Sequence, residues 1–325
     1  MLLAAAAAHF GRDLGFDLDR VASIIASARR AGAGLLVLPD GTLGGYLPDL
    51  RRPLDPEPPA AGLPPLDAIA LGGPDASSGA PGPGAGPGSG GEPGHRPVPG
   101  QAAEPPAEPD DLPPTLHRDD PIFDRVAELA AEMVVCLGYR EHTDGLSYNA
   151  AVCLSGAGVH GRHRKVHLAS GEAAVYAPGD GFAAFDTPVG RLGMLIDYDK
   201  TFPESARSLA GDGATVLACL SAWPASLTDP ARRVVKDRQA RLFDLYDCAR
   251  AAENQVVLVS ANQTGRTGAL TFLGNAKVVG PGGEIRARTW AKAGLAVAEV
   301  DPSGEVSRVR QVLHHLAERR PDAYR

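Results

Sequence analysis

The chain has 325 residues, 44% of them hydrophobic and 22% charged, with a formal net charge of -7. That is ordinary composition for a soluble globular protein, long enough for one large domain or two small ones with a sizeable core. No run of Lys or Arg forms a basic stripe, which argues against nucleic acid as a partner, and no stretch reaches the roughly 18 apolar residues of a membrane helix.

In chain order, Leu2 to Ala8 is a short apolar run that reads as a buried first strand. Met1 to Phe10 lacks the positive n-region of a signal peptide, so the expected location is cytoplasmic. The four cysteines, Cys136, Cys153, Cys219 and Cys248, are scattered. Their isolation argues against a structural zinc site and a disulfide framework, and suits a reducing compartment. Asp17 to Arg30 has helical spacing, with Leu18, Val21, Ile24, Ile25 and Ala28 on one face. Gly32 and Gly34 end that helix, and Leu35 to Leu38 is a second buried strand closed by Pro39. Strand, helix, strand in forty residues is an α/β signature.

From about residue 52 to residue 120 Pro, Gly, Ala and Ser dominate without hydrophobic periodicity. Such a composition buries too little apolar surface to offset ordering entropy, so most of it is expected to be a disordered surface insertion. It is not read as a domain boundary, because both flanks supply parts of one pattern, and a single domain over 1–325 is expected. Beyond it, Ile122 to Glu132 reads as a helix, with strands at Val134–Gly138 and Ala150–Leu154 and a turn at Gly156–Gly158. Arg191 to Ile196 is a strand leading into Asp197, Phe202 to Gly211 a helix and Thr215 to Leu220 a strand. A long helix is expected over Arg232 to Asn254, strands at Val256–Ser260, Ala276–Val279 and Leu295–Val300, and then a charged tail ending at Tyr324.

Three segments carry the chemistry. Leu36-Val-Leu-Pro-Asp40 is followed by Gly44-Gly45-Tyr46. His163-Arg-Lys165-Val-His-Leu168 is the second. The third is Gly190-Arg-Leu-Gly-Met-Leu-Ile-Asp197-Tyr-Asp199, with Phe202-Pro-Glu204 just after it. Taken singly, Pro39-Asp40-Gly41 would be a turn and Asp197 a helix N-cap.

In this order the segments resemble the nitrilase superfamily, the carbon–nitrogen hydrolases. Ser221-Ala-Trp-Pro224, Ala249-Arg-Ala-Ala-Glu-Asn254 and Val279-Gly-Pro-Gly-Gly-Glu284 add to the likeness. The resemblance implies an αββα sandwich of two mixed sheets with helices outside, which associates into homodimers or higher oligomers through the helices near the elbow and the C-terminal tail. It also implies a Cys–Glu–Lys mechanism without a cofactor. In that mechanism glutamate deprotonates the thiol, the thiolate attacks an amide, carbamoyl or nitrile carbon, and lysine stabilises the oxyanion.

Carried over position by position, Lys165 is retained and Glu172 matches a second glutamate that positions it. Asp40 stands at the general-base position, one methylene short by about 1.5 Å, where a misplacement of about 1 Å costs on the order of a hundredfold. Asp197 stands where the resemblance puts the cysteine. A carboxylate attacking an amide would have to form a mixed anhydride while expelling an amine, and it is a weaker nucleophile there than a thiolate. Tyr46, Tyr198 and Trp223 are the expected substrate-binding residues, no metal ligand set is evident, and His163 and His167 are expected to shape the lysine loop.

Three functions are therefore open. One is a degenerate homologue with a binding, regulatory or partner-subunit role, its ligand a small amide, carbamoyl compound or amine. Another is a divergent amidohydrolase in which Asp197 is the base for a water. The last is a scaffold that pairs with an active paralogue. Crowding of Asp40, Glu172 and Asp197 around Lys165 is expected to raise at least one carboxylate's pKa, and a fixed Lys165–Asp197 ion pair is the simplest resting state.

Overall fold

The computed structural model describes residues 1–50 and 112–324. The elements are β1 (Leu2–Ala8), α1 (Leu14–Arg30), β2 (Ala33–Val37), β3 (Thr115–Leu116), α2 (Ile122–Ala130), β4 (Val134–Thr143), β5 (Leu146–Ser155), β6 (Gly158–Arg164), β7 (Phe185–Thr187) and β8 (Gly190–Ile196). They continue with α3 (Pro203–Gly211), β9 (Val216–Ser221), α4 (Arg238–Asn254), β10 (Val257–Gln263), β11 (Arg266–Thr267), β12 (Leu270–Thr271), β13 (Lys277–Val279), β14 (Ile285–Arg288), β15 (Gly294–Glu299) and α5 (Pro302–Val312).

Hydrogen bonding runs in the order β6-β5-β4-β2-β1-β10-β9-β8-β7. The path is continuous, yet it makes two layers. β1 and β10 pair only at Ala7↔Asn262 and Ala8↔Gln263. Elsewhere β1 turns to β15 and β10 turns to β13, so the two halves splay apart from one shared end. Period-two alternation does the sorting. Leu3, Ala5 and Ala7 of β1 face Met194, Ile196, Ala218 and Val259 in the core between the layers. Ala4, Ala6 and Ala8 face outward onto α1 and α2 with Val21, Ile25, Phe123 and Val126. On the opposite outer face Leu195, Leu217 and Leu258 pack under Ala206 and Leu209 of α3 and Ala251 of α4. This is the expected αββα sandwich.

Three expectations are corrected and one, the turn at Gly156–Gly158, is met and extended. Of the stretch 52–120, residues 52–111 lie outside the described residues, but 112–120 carry β3. Thr115 and Leu116 pair in parallel with Arg140 and Glu141, and Leu116 is buried among outer-face apolar side chains. The long helix begins at Arg238 rather than Arg232, because the Asp237 carboxylate caps Gln239 N at 2.9 Å and also holds Ser226 N and Ala231 N. The turn at Gly156–Gly158 opens a whole strand, β6, which continues a meander from β5. The C-terminal tail contains α5, started by Asp301 capping Gly304 N at 3.1 Å with Pro302 in the first turn. Among the described residues no helix is long and apolar enough to cross a membrane.

Candidate active site

The ends of four strands converge. Asp40 follows β2, Asp197 follows β8, Ser221 ends β9 and Gln263 ends β10. Asp40 N donates to Ser221 O at 3.3 Å and Gln263 Nε2 donates to Asp40 O at 2.8 Å, which ties the Asp40 turn to the opposite layer. Gly138 of β4 lies against the turn so closely that a Cβ there would sit 2.8 Å from Asp40 Cα. Asp17 of α1 holds the following loop, accepting from Gly44 N at 2.9 Å. That loop delivers Tyr46, which is 1% exposed.

Lys165 enters directly after β6, its N–H donating to Asn149 O at 2.8 Å. Its ammonium is fully buried and forms ion pairs with Glu172 Oε2 at 2.7 Å and Asp197 Oδ2 at 3.5 Å. Glu172 is the closer partner, so the resting arrangement is a lysine held by Glu172 with Asp197 beside it rather than a Lys165–Asp197 pair alone. Tyr46 OH donates to Glu172 Oε1 at 2.7 Å, and Ala169 N donates to Oε2 at 2.6 Å. Asp40 is held instead by Asn149, whose Nδ2 lies 2.9 Å from Asp40 Oδ2 and 3.3 Å from Glu172 Oε1.

Asp197 sits at the sharp bend between β8 and the 3₁₀ turn Asp197–Thr201, with φ +46. That left-handed conformation strains any residue with a Cβ. The side chain is 4% exposed, and its Oδ1 has no hydrogen-bond partner among the described residues.

Three carboxylates thus share one buried ammonium. Burial pushes Asp40 up to about 7, with Lys165 opposing and Asp197 and Glu172 reinforcing the rise. Asp197 is raised as well, chiefly by burial, against the pull of Lys165. For Lys165 burial acts downward, but Glu172, Asp197 and Asp40 together raise it above the ordinary lysine value, so it stays charged. The expected rise is present, but burial rather than the crowding of carboxylates is its largest cause.

Of the other expected residues, Tyr198 follows Asp197 and packs edge-on against Phe202 at 5.1 Å. Trp223 packs against α4, with its ring 5.8 Å from Phe243 and its Nε1 donating to Gln239 Oε1 at 3.0 Å. His163 and His167 do shape the lysine loop, by way of Asp199, which sequence reasoning left without a role. Asp199 Oδ2 accepts from His163 Nε2 at 3.1 Å and Ile196 N at 3.2 Å. Its Oδ1 accepts from His167 N at 2.9 Å, His167 Nδ1 at 3.1 Å and Val166 N at 3.2 Å. One carboxylate therefore fastens the lysine loop to the elbow.

A second unanticipated cluster lies behind the elbow. Lys200 and Lys277, both fully buried, share Asp247 of α4 at 2.8 Å each, and both ammonium groups lie over the Phe243 ring. Arg250 clamps the same turn, its Nε donating to Lys200 O at 2.8 Å. The sequence signals were the position of Asp199 two residues beyond Asp197 and the lysine inside the elbow segment. Among the described residues no group of three or more His, Cys, Asp or Glu side chains is placed to hold a metal ion.

Comparison with known proteins agrees with this fold. A probable nitrilase from Schizosaccharomyces pombe is 31% identical over 214 residues, which is 64% of this chain and 74% of that protein. The deaminated glutathione amidase of Homo sapiens is 32% identical over 241 residues, 65% of this chain and 68% of its own length. An N-carbamoylputrescine amidase from Oryza sativa is 29% identical over 229 residues, 64% of this chain and 73% of that one. Among solved structures, a carbon-nitrogen hydrolase from Helicobacter pylori superposes with a TM-score of 0.71 at 20% identity, covering 100% of this chain and 96% of that one. An amidase of the nitrilase superfamily from Nesterenkonia gives 0.66 at 19% identity, covering 99% and 95%. The sequence profile of the carbon-nitrogen hydrolases matches residues 3–310, and the chain belongs to that family.

Proposed function

We propose that this chain is a carbon-nitrogen hydrolase homologue without cysteine-dependent hydrolysis, acting as a binding, regulatory or partner subunit for a small amide, carbamoyl compound or amine. The observation that carries the reading is Asp197 at the left-handed bend after β8, 3.5 Å from Lys165. In a glutamate-to-glutamine mutant of the Nesterenkonia amidase the acetamide moiety of fluoroacetamide is added covalently at the active-site cysteine. The reading assigns Asp197 to that position and Asp40 to that of the general base. Each cysteine of this chain is engaged elsewhere. Cys136 and Cys153 lie in the core between the layers. Cys219 is fully buried, 3.7 Å from Ser221 Oγ, and burial pushes its thiol up to about 12. Cys248 lies on α4, its thiol also raised by burial.

A carboxylate at the bend is a poor replacement for a thiolate in acyl transfer, since it is the weaker nucleophile toward an amide carbon and its product, a mixed anhydride, lies well above the amide in energy. What the cluster can do is hold a ligand. Three carboxylates around one lysine favour a cationic amine, and the carbamoyl compound in the name of the rice relative is the kind of group that Asn149 and Lys165 would orient. The chain is proposed to pair with a second copy or an active paralogue through α3, α4 and the tail, where Leu245, Val312 and Leu313 are exposed. Light scattering at rising concentration tests this.

The test of the main reading is hydrolysis of simple amides, carbamoyl amines and nitriles by wild type and by Asp197→Cys/Asp40→Glu in parallel. Turnover in the double variant alone supports it, and a covalent substrate adduct on the wild type overturns it. One observation favours a second reading. Asp197 Oδ1 lacks a partner among the described residues, so this oxygen is free to take a proton from a water in a divergent amidohydrolase. Wild-type turnover that survives thiol-blocking reagents and is lost in Asp197→Ala would establish that reading instead.

A further inference from the structure

A cleft of about 480 Å³ opens at β6, the strand that ends the hydrogen-bonded path, and its charge is opposite to that of the carboxylate cluster. The volume falls within the range of about 300–1,000 Å³ of small-molecule sites. Three guanidinium groups, Arg118, Arg162 and Arg164, face it against two carboxylates, Glu141 and Asp180. Arg164 is matched, since it pairs with Glu141 and lies 3.9 Å over the Tyr148 ring. Arg162 is not. It donates to two neutral oxygens, Tyr139 OH at 3.0 Å and Arg118 O at 2.5 Å. Among the described residues no carboxylate pairs with Arg118 or Arg162. A guanidinium held in place by neutral acceptors keeps its charge for an anion and loses little freedom on binding one.

We propose that this cleft is a second binding site, for a small ligand carrying a carboxylate or phosphate oxyanion that Arg162 and Arg118 receive. Phe182 supplies an apolar wall for the rest of the ligand. Its ring is half-buried and already stacked on His163 at 5.3 Å and His167 at 5.9 Å, so it is rigid and flat. The Arg164–Glu141 pair sets one rim and limits the net attraction to small anions. The carboxylate cluster around Lys165 would repel such a ligand, so occupancy of the cleft stands independently of what the first site does.

The experiment is isothermal titration of the full chain with inorganic phosphate and, separately, with benzoate, at constant ionic strength. Phosphate reports a free dianion, and benzoate a carboxylate with a flat body for Phe182. Saturable binding of at least one probe is expected, weakened about tenfold in Arg162→Gln and in Arg118→Gln. It should be unchanged in Arg191→Gln, a surface arginine already paired with Asp186 and Asp212. Arg118 is exposed, so its variant keeps the fold even if Arg162→Gln loosens Tyr139. The proposal fails if neither probe gives saturable heat up to about 10 mM, or if both arginine variants bind as wild type does.

Discussion

Replacing Asp199 by asparagine should be among the costlier near-isosteric changes in this protein. Five donors converge on its two oxygens: His163 Nε2 and Ile196 N on Oδ2, and Val166 N, His167 N and His167 Nδ1 on Oδ1. A carboxylate only accepts, so it suits all five. An amide nitrogen on the Oδ2 side cannot accept from Ile196 N. His163 can change tautomer to receive the amide, but the backbone N–H of Ile196 cannot, and a buried unpaired donor costs about 1–3 kcal/mol. The bonds on the other side also fall from charge-assisted to neutral, which adds a similar amount. The sum is about 3–5 kcal/mol, read as a lower urea midpoint at pH 7 or a fall in Tm of about 5–10 °C. Burial acts to raise this carboxyl, but the bonds from His163 and His167 leave it well below the ordinary range. A depressed folded value means the stabilisation is full above the unfolded value, near 4, and is lost as pH falls through the folded one. Wild type and variant should therefore converge only in acid. The amide of Ile196 should also exchange faster in the variant. A loss below about 1 kcal/mol at pH 7, or a difference that vanishes already at pH 6, would refute the account of Asp199 as the fastening between lysine loop and elbow.

The other perturbations act on the carboxylate cluster. Asp40 is raised to about 7, so between the unfolded value and pH 7 the folded state holds a proton that the unfolded chain has released, and stability falls as pH rises. Asp40→Asn should be more stable than wild type at pH 8, by up to about 4 kcal/mol, with the gain gone below about pH 4; chemical denaturation across pH checks both the sign and the window. Lys165→Met leaves Glu172 and Asp197 buried without their cation, a loss of about 3–5 kcal/mol at pH 7 measured by urea unfolding. Because Lys165 is raised above the ordinary lysine value, the wild-type contribution should persist through pH 10. Gly138→Ala places a methyl 2.8 Å from the Asp40 backbone, which should cost about 1–3 kcal/mol and weaken any ligand that titrates with Asp40.

What the sequence disclosed and what it hid separate along one physical line. Amphipathic and alternating patterns are local, so β1, α1, β2, β8, α3 and β9 were legible to within a few residues. β6 was not, because Gly158–Arg164 has no apolar alternation: it lies at the end of the sheet path and is half-buried along most of its length. α5 was hidden in a charged tail, since few of its residues are buried, Pro302 and Val306 among them. In the site, Asp40, Lys165, Glu172 and Asp197 were legible because each sits in a short ordered motif. Asn149 was not, although it bridges Asp40 and Glu172, for its partners stand 109 and 23 residues away. Polar side chains on a strand carry no local sign of what they will meet across the sheet. The Asp247 pair of lysines was hidden for the same reason, with partners 47 and 30 residues distant.

The energetic character of the cluster bears on why such a site would persist. A left-handed aspartate, a carboxylate raised to about 7 and a second one raised with it are each unfavourable to the folded state. An apolar replacement would relieve the two raised carboxylates, though not the left-handed backbone, as buried ion clusters elsewhere tolerate or gain from such exchange. Around this cluster, moreover, the protein is built to hold it: Asn149 bridges two of the carboxylates, Tyr46 and Ala169 N fix Glu172, and Asp199 and Arg250 clamp the elbow from both sides. Support of that extent around an unfavourable arrangement fits the proposed ligand site, where a positively charged ligand would convert the excess carboxylate charge from a cost into binding energy. On that argument a cationic amine should raise Tm more in wild type than in Asp197→Asn, and the increment should shrink as pH falls below 7 and Asp40 takes up its proton. An amine that stabilised both proteins equally at every pH would break the link between the strained carboxylates and binding.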